Sequence, residues 1–455
     1  MQKMLRRSAS LLFILTLAAA IVIPTVAEPV SDAMGDQSSS GTAEDVPLAD
    51  DYELSADLDV AGEPDGEDLV KVIVKVDAPS LLDYANEKGI TVQEAMLRSE
   101  GIRTVKKIES LSESAKKALS PYLVETGFSY STVLGGFSAT IRYEDLSRLE
   151  QDARVEKVIL SDTYEVPQAI TENDVNVDGS TGIYDSSVVD YDGTGTVVAV
   201  LDTGTDYTHE VFDMVLDDTK TAITKDDVAG LSAELAATSL SAANGESINE
   251  DDLYLSTKLP YAYDYADGDA NVYPSEAHGT HVAGIIAGKS DRITGVAPGA
   301  QIATFKVFSD YDDGAETDAI LAALNDAVLL GVDAINMSLG SSCGFTREED
   351  GSAINDVYDS VEAAGICLVV AASNDYSSAY GSANGNTNLA SNPDSGTVGS
   401  PASYSASLAV ASISGVKTPY FLLGDGTEIY FRESRRIGQE EDNDFVGGML
   451  GDEHE

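Results

Sequence analysis

Three polar side chains of this 455-residue sequence could together perform acyl transfer. The imidazole of His278 titrates near neutral pH, so it is suited to act as a general base. A buried carboxylate behind it, here Asp202, would fix the imidazole tautomer and stabilise the imidazolium ion. A side-chain amide, here Asn374, can donate a hydrogen bond to a developing oxyanion. Each residue alone is more often a helix cap or a packing residue, so the prediction depends on the combination.

Buried strands that alternate with helices are the elements that would bring these residues together. Residues 196–201 form an almost uninterrupted β-branched run, which is typical of a strand buried on both faces. Similar runs follow at 301–308, 333–339, 366–372 and 407–413. Between them, 315–330 and 354–364 have helical spacing and stop at a glycine. The alternation predicts an α/β fold, a doubly wound parallel sheet with helices on both faces.

The candidate residues follow strand ends of this predicted sheet. Asp202 follows the first strand, Asn374 follows the fourth, and His278 opens a helix of small residues that permits close packing. Active sites of such sheets form at the carboxyl ends of the strands, so we expect Asp202 to hydrogen-bond His278, with Asn374 across the same crevice.

A third strand end carries a candidate substrate-binding segment. The run 336–340 ends in Ser338, Leu339 and Gly340, and its backbone is free to pair with an extended peptide. We therefore predict that these three residues bind substrate.

Charge divides the chain into a near-neutral module and a strongly acidic one. The formal net charge is −51, and a surface this acidic repels phosphate backbones, so nucleic acid is excluded as a partner. Residues 69–162 are close to neutral and alternate strands and helices as a small α+β domain. The predicted divisions are a signal peptide at 1–27, an acidic disordered linker at 28–68, this small domain at 69–162, a linker at 163–190, the strand–helix domain at 191–418 and an acidic tail or the start of an inserted domain at 419–455.

The first residues predict export. Lys3, Arg6 and Arg7 precede a short apolar run at 11–23 and small residues at a cleavage point, which is the pattern of a secretory signal. The run is short for a membrane span, although a retained anchor is the alternative. The localisation expected is extracellular or cell envelope, without membrane association after signal removal.

Cys343 and Cys367 are the only cysteines, and their spacing fits no zinc or redox motif. They are either two small buried hydrophobic residues or, in an oxidising compartment, a disulfide pair.

The motifs resemble the subtilase family, the subtilisin-like serine proteases, segment by segment. Residues 200–204 (Val-Leu-Asp-Thr-Gly) resemble the family's aspartate motif, and 278–284 (His-Gly-Thr-His-Val-Ala-Gly) resemble its histidine motif. Three further segments are similar to parts of the family pattern. Residues 295–299 resemble the stretch that follows the histidine motif, 336–340 the strand that lines the substrate cleft, and 372–374 the segment with the oxyanion asparagine.

The resemblance implies a domain organisation and a mechanism. It makes 191–418 a subtilisin-like catalytic domain and 69–162 a ferredoxin-like inhibitory propeptide whose tail enters the cleft. It implies hydrolysis of protein or peptide substrates by an Asp-His-Ser triad. The loop 206–212 looks like that of the large cell-envelope proteases of Gram-positive bacteria, and it lacks an acidic residue that calcium-binding members use. We expect no metal and no cofactor.

This sequence departs from the family pattern at the nucleophilic serine. That serine occupies a Gly-Thr-Ser-Met-Ala-like turn that opens a helix, and no segment of this sequence fits. Ser400 lies too soon after Asn374 and resembles the cleft wall. The catalytic domain is therefore expected to be incomplete, a truncated precursor that is inactive as written.

Two functional classes remain open on the sequence. One is a secreted serine-type endopeptidase that lacks its serine here. The other is a non-catalytic fragment that binds peptide in the surviving cleft or inhibits a protease through its propeptide.

Overall fold

Two β-sheets organise the part of the chain that the structure describes. The structure is a computed structural model, and it describes residues 66–164, 191–245, 247–291, 293–311, 314–341, 353–373, 398–411, 420–422 and 428–430. An antiparallel sheet of four strands is followed by a parallel sheet of six. The predicted signal peptide and most of both predicted linkers lie outside the described residues.

The amino-terminal module has the β-α-β-β-α-β order of a ferredoxin-like fold. Its strands are β1 (Leu69–Val76), β2 (Leu123–Tyr130), β3 (Gly136–Arg142) and β4 (Val155–Leu160), and its helices are α1 (Leu81–Lys88), α2 (Val92–Met96), α3 (Ser99–Leu119) and α4 (Leu146–Glu150). The strands are arranged in the order β2-β3-β1-β4. Along β1, Val72 and Val74 pack in a core that includes Ile108 of α3, whereas Ile73 belongs to a core shared with the second sheet. Both faces of the small sheet are therefore covered.

Two features of this module differ from the sequence prediction. The apolar spacing of 91–124 predicts one helical stretch, but the structure has two helices there, because Arg98 has an extended backbone between α2 and α3. Helix α1 was not predicted, although Ser80 and Asp83 form a capping box at its start and Gly89 ends it with a positive φ. Its eight residues are too few for a clear apolar period, so only the caps signal it.

The second sheet has strands in the order β12-β11-β10-β6-β8-β7, all parallel. Its strands are β6 (Val197–Asp202), β7 (Tyr261–Asp264), β8 (Gln301–Lys306), β10 (Ala334–Met337), β11 (Cys367–Ala371) and β12 (Leu408–Val410); the short strands β5 (Thr163–Tyr164) and β9 (Ala315–Glu316) form a separate pair. Its helices are α5 (Lys225–Leu231), α6 (Ala236–Ala243), α7 (Glu250–Leu253), α8 (His278–Ala287), α9 (Thr317–Leu330) and α10 (Ala353–Ala363). Five of these strands match the predicted apolar runs to within a few residues, and β7 was not predicted.

Helix α9 lies at the centre of the described structure. Every one of its residues is buried, and it ends at Gly331, whose φ of 75° lies in the left-handed region. A helix that is apolar on most sides needs cover on most sides. The second sheet lies on one side of α9, and the amino-terminal module contributes residues to the same core.

The amino-terminal module hydrogen-bonds α9 along its length. The Tyr130 hydroxyl donates to the Asp318 carbonyl (3.1 Å), and the Thr132 amide donates to Asn325 Oδ1 (2.9 Å). At the other end, the Gln93 side-chain amide donates to the carbonyls of Val328 and Leu329 at 3.1 and 2.9 Å. The module therefore satisfies polar groups that burial would otherwise leave unpaired.

The end of the amino-terminal module is tied to the start of α9 by a two-residue antiparallel pair. Thr163 pairs with Glu316 and Tyr164 with Ala315, so residues 163–164 are a strand where a linker was predicted. A tail that enters the cleft could pair with 336–340, but residues 163–164 pair with β9 instead, and β10 is flanked by β6 and β11 inside the sheet. The Tyr164 side chain is buried in the shared core.

The remaining predictions concern the tail, the cysteines and the membrane. Within 419–455, β13 (Tyr420–Leu422) and β14 (Glu428–Tyr430) form an antiparallel pair. Cys367 forms no disulfide with any residue that the structure describes, and Cys343 lies outside that part of the chain. Within the described ranges, none of the helices has the length and apolar character needed to cross a bilayer.

Replacing Asn325 with alanine should destabilise the protein by about 1–3 kcal/mol, because the buried Thr132 amide would lose its acceptor. The midpoint of urea unfolding measures the change. Asn86→Ala is the matched control: Asn86 is also helical, but its amide bonds the Ser360 carbonyl at a half-buried site where water can replace it. Equal losses for the two variants would contradict the importance of this contact.

Candidate active site

Asp202 is the last residue of β6, at the carboxyl end of the central strand pair of the parallel sheet. The apolar run before it buries the strand, and its side chain is only 1% exposed. The backbone pairing of β6 with β8 continues through Asp202, because the amide of Val307, the residue after β8, donates to the Asp202 carbonyl at 3.0 Å. The predicted position of this carboxylate, at a strand end and facing inward, is the one found.

His278 is the first residue of α8, and its ring reaches Asp202. The His278 Nδ1 to Asp202 Oδ1 distance is 2.6 Å, between residues 76 positions apart in the chain. The carboxylate only accepts hydrogen bonds, so the proton of this bond belongs to Nδ1. That assignment leaves Nε2 of the neutral ring as the basic nitrogen. The His278 side chain is 17% exposed, so the ring is partly accessible.

The pKa of His278 is raised above its ordinary value of 6.5. Burial of the ring lowers this pKa, because it penalises the charged form, but the hydrogen bond and the negative charge of Asp202 raise it by more. The nearby Glu276 carboxylate adds a smaller effect in the same direction. The site therefore stabilises an imidazolium ion, the form that a general base takes after it accepts a proton.

Asp202 is held almost entirely through one oxygen. Its Oδ1 accepts hydrogen bonds from His278 and from the Thr203 backbone amide, the latter at 2.7 Å. Its Oδ2 is buried and accepts no hydrogen bond from any residue that the structure describes. The imidazole is thus the main partner of this buried charge.

A glycine follows shortly after each member of the Asp202–His278 pair, at a position where a side chain would clash. Gly204 has a φ of 104°, and a Cβ there would clash with the Val272 carbonyl oxygen. A Cβ on Gly279 would clash with the Gly204 carbonyl oxygen and lie 3.1 Å from Asp202 Oδ1. Gly279 is therefore required by the contact between the two motifs, and Gly204 by its positive φ and its close approach to Val272.

The other predicted site residues have different outcomes. Asn374 lies outside the described residues. Ser338 is half-buried and accepts a hydrogen bond from the Asn336 amide at 3.1 Å, whereas the Leu339 side chain is fully buried. A Cβ on Gly340 would lie 2.9 Å from the Ser400 carbonyl oxygen, so this segment packs closely against the chain around Ser400. Their assignment to substrate binding stays a prediction.

Ser400, the serine that resembles the cleft wall, pairs with the chain after Gly340. The amides of Ser341 and Ser400 each donate to the carbonyl of the other, at 2.8 and 3.1 Å. The Ser400 hydroxyl lies 3.3 Å from the Ser403 hydroxyl. Its backbone therefore closes one side of the 338–340 segment.

A cluster of three carboxylates around the buried Lys306, at the end of β8, was missed by sequence reasoning. Lys306 Nζ lies 2.5 Å from Asp264, 3.3 Å from Asp267 and 3.4 Å from Asp310. Burial lowers the pKa of the Lys306 ammonium, but the carboxylates raise it by more. The ammonium is therefore the cation of this cluster. The only sequence signal is an isolated lysine at the end of an apolar run.

A six-stranded parallel sheet with a hydrogen-bonded Asp–His pair at its carboxyl edge defines an α/β protein. The model of the subtilase family matches residues 193–435, just over half of the chain. The chain belongs to the subtilase family, that of the subtilisin-like serine peptidases.

Relatives of known name include large bacterial proteinases. The chain is 32% identical over 401 residues to the PII-type proteinase of Lactococcus lactis subsp. cremoris, covering 84% of this chain and 19% of that protein. It is 34% identical over 235 residues to a Streptococcus pyogenes C5a peptidase, covering 49% of this chain and 18% of that protein. The chain thus spans about a fifth of the length of these relatives. A solved structure, fervidolysin from Fervidobacterium pennivorans, aligns over 68% of this chain and 40% of its own with 17% identity and a TM-score of 0.40.

Asp202→Asn should lower the pKa of His278 below 6.5, because the charge that raises it disappears while burial still lowers it. An NMR titration of the His278 ring measures the change. In the wild type, the raised pKa contributes stability that is complete below about pH 6.5 and is lost as pH rises through the folded-state pKa.

Asp206→Asn is the control for that titration. Asp206 contacts the same helix, with its backbone amide donating to the Thr280 hydroxyl at 2.8 Å, so the substitution leaves this contact in place. The His278 pKa should be unchanged in this variant. A pKa in Asp202→Asn at or above the wild-type value contradicts the account.

Proposed function

We propose that this chain carries the acid–base half of the catalytic site of a secreted serine endopeptidase. The observation that carries the proposal is the 2.6 Å contact between His278 Nδ1 and buried Asp202 at the carboxyl edge of a parallel sheet. His278 Nε2 would take the proton of a serine hydroxyl as that oxygen attacks a peptide carbonyl, and would return it to the leaving amine. Asp202 would stabilise the imidazolium ion between the two steps.

The remaining parts of the proposed site rest on sequence. The Asn374 side-chain amide would donate to the oxyanion, and Ser338, Leu339 and Gly340 would pair with the substrate backbone. Protein or peptide substrates are supported by the names of the relatives, which are proteinases and peptidases. Secretion to the exterior or cell envelope is supported by the signal pattern at 1–27.

The amino-terminal module is proposed to be an inhibitory propeptide. Two observations support this role: its tail pairs through Thr163 and Tyr164 with β9, and its hydrogen bonds follow α9. The last described residues of the tail are thus already extended, the conformation in which a peptide pairs with the edge of a strand.

The 455 residues themselves are proposed to hydrolyse no peptide at an enzymatic rate. No Gly-Thr-Ser turn occurs anywhere in the sequence. In subtilisin, loss of the nucleophilic serine lowers turnover by a factor of about 2 × 10⁶. Once the serine is gone, removal of the other triad residues changes the rate little. The second candidate function is a non-catalytic one, peptide binding or protease inhibition, and the β5–β9 pair is the observation that favours it.

Residues 28–455, expressed and tested on a broad panel of fluorogenic peptides, should show the same background rate as a His278→Ala variant. The physical reason is that the orienting carboxylate and the base have no positioned hydroxyl to activate. Hydrolysis that disappears in His278→Ala would show that a serine of this chain is the nucleophile, with Ser400 the first to replace.

The endopeptidase proposal has its own test. The polypeptide is extended into the codons that follow residue 455, and any Gly-Thr-Ser turn encoded there is included. Hydrolysis that appears with the turn and is lost in His278→Ala supports the endopeptidase. An extended polypeptide that contains the turn, folds and yet cleaves nothing favours the non-catalytic function.

A further inference from the structure

We propose that Thr203 is a positioning residue, whose hydroxyl fastens the first turn of α8 to the end of β6 and so holds His278 at hydrogen-bond distance from Asp202. The importance of Thr203 for catalysis rests on the proposed function. Its role in holding β6 and α8 together does not depend on that function. Thr203 follows Asp202 directly and is 4% exposed.

The Thr203 hydroxyl bonds the backbone on both sides of His278. Its Oγ1 accepts a hydrogen bond from the Gly279 amide at 2.9 Å and donates one to the Glu276 carbonyl at 3.1 Å. One side chain thereby links the residue after the imidazole and a residue before it. The hydroxyl can make both bonds at once, because it has one proton to donate and lone pairs that accept a hydrogen bond.

Helix α8 needs this external partner because it has no cap of its own. The first backbone amides of a helix have no partner within it, and a Ser, Thr, Asp or Asn at the N-cap position commonly bonds one of them. Here the N-cap residue is Ala277, which has no side chain to do so. Thr203 supplies from the neighbouring strand the acceptor that the helix lacks.

Thr203 also orients the other member of the pair. Its backbone amide donates to Asp202 Oδ1 at 2.7 Å, the same oxygen that accepts from His278. Its amide therefore fixes the carboxylate while its hydroxyl fixes the helix that carries the imidazole. A shift of either element by roughly 1 Å would take this 2.6 Å contact beyond the usual range of N–H···O hydrogen bonds, about 2.7–3.2 Å.

Thr203→Val tests the hydroxyl, because valine keeps the β-branched shape and removes both hydrogen bonds. In the full chain, NMR follows the His278 ring titration and the His278 Nδ1 proton. The expected result is a His278 pKa lower than in the wild type, because the imidazole contacts Asp202 less closely, and loss of the Nδ1 proton signal through faster exchange with water. Thr203→Ser retains the hydroxyl and should restore both properties.

Thr205→Val is the matched control. Thr205 is buried two residues further on, and its hydroxyl accepts from the Thr304 hydroxyl at 3.1 Å rather than from α8. This variant loses a buried threonine hydroxyl without losing a contact to the helix, so the His278 signals should not change. Equal shifts in Thr203→Val and Thr205→Val would mean general loosening, and would overturn the proposal, as would wild-type His278 signals in folded Thr203→Val.

A measurement on the unmodified protein covers the case in which Thr203→Val fails to fold. The Gly279 amide should be protected from hydrogen exchange although it lies in the first turn of a helix, where amides commonly exchange fast. An unprotected Gly279 amide would overturn the proposal. Neither readout involves hydrolysis, so a failure of the proposed enzymatic function leaves these outcomes unaffected.

Discussion

A buried carboxylate that faces an imidazole is the main constraint on this structure. Moving a carboxylate out of water costs several kcal/mol unless hydrogen bonds and an opposite charge offset it. Asp202 accepts two hydrogen bonds at one oxygen, from His278 and from the Thr203 amide, and it gains an opposite charge when the imidazole is protonated. Strand β6 and helix α8 must therefore stay in fixed alignment, and the glycine at 279 allows them to approach closely enough. The raised pKa of His278 follows from the same contact.

The second requirement is to cover α9, whose residues are all buried. The parallel sheet covers part of it, and the amino-terminal module supplies apolar contacts and polar partners for the rest. Because the tail of that module pairs with β9 immediately before α9, the module and the sheet carrying Asp202 share one core. Any event that separates the module must therefore expose or rearrange this helix.

The sequence predicted those parts that depend on local pattern. The β-branched run before Asp202 and the small-residue helix after His278 each have a strong signature, and the parallel sheet follows from their alternation. Helix α1 was missed because eight residues show too little period, and β9 because a two-residue strand has no pattern without its partner. In the sequence, Lys306 is only a charged residue within a predicted strand. Its partners Asp264, Asp267 and Asp310 are known only from the structure, in which they surround its ammonium group. The role of Thr203 also needs coordinates, since its partners, Glu276 and Gly279, lie more than 70 residues away.

The most direct test of this account is the tautomer of neutral His278, read from a long-range ¹H–¹⁵N NMR spectrum of the unmodified chain at a pH above the His278 pKa. A carboxylate at Nδ1 can only accept a hydrogen bond, so the account predicts that Nδ1 carries the proton and that Nε2 is bare. A spectrum in which Nε2 carries the proton would contradict it, because the ring would then be unable to donate to Asp202 and its basic nitrogen would face the carboxylate.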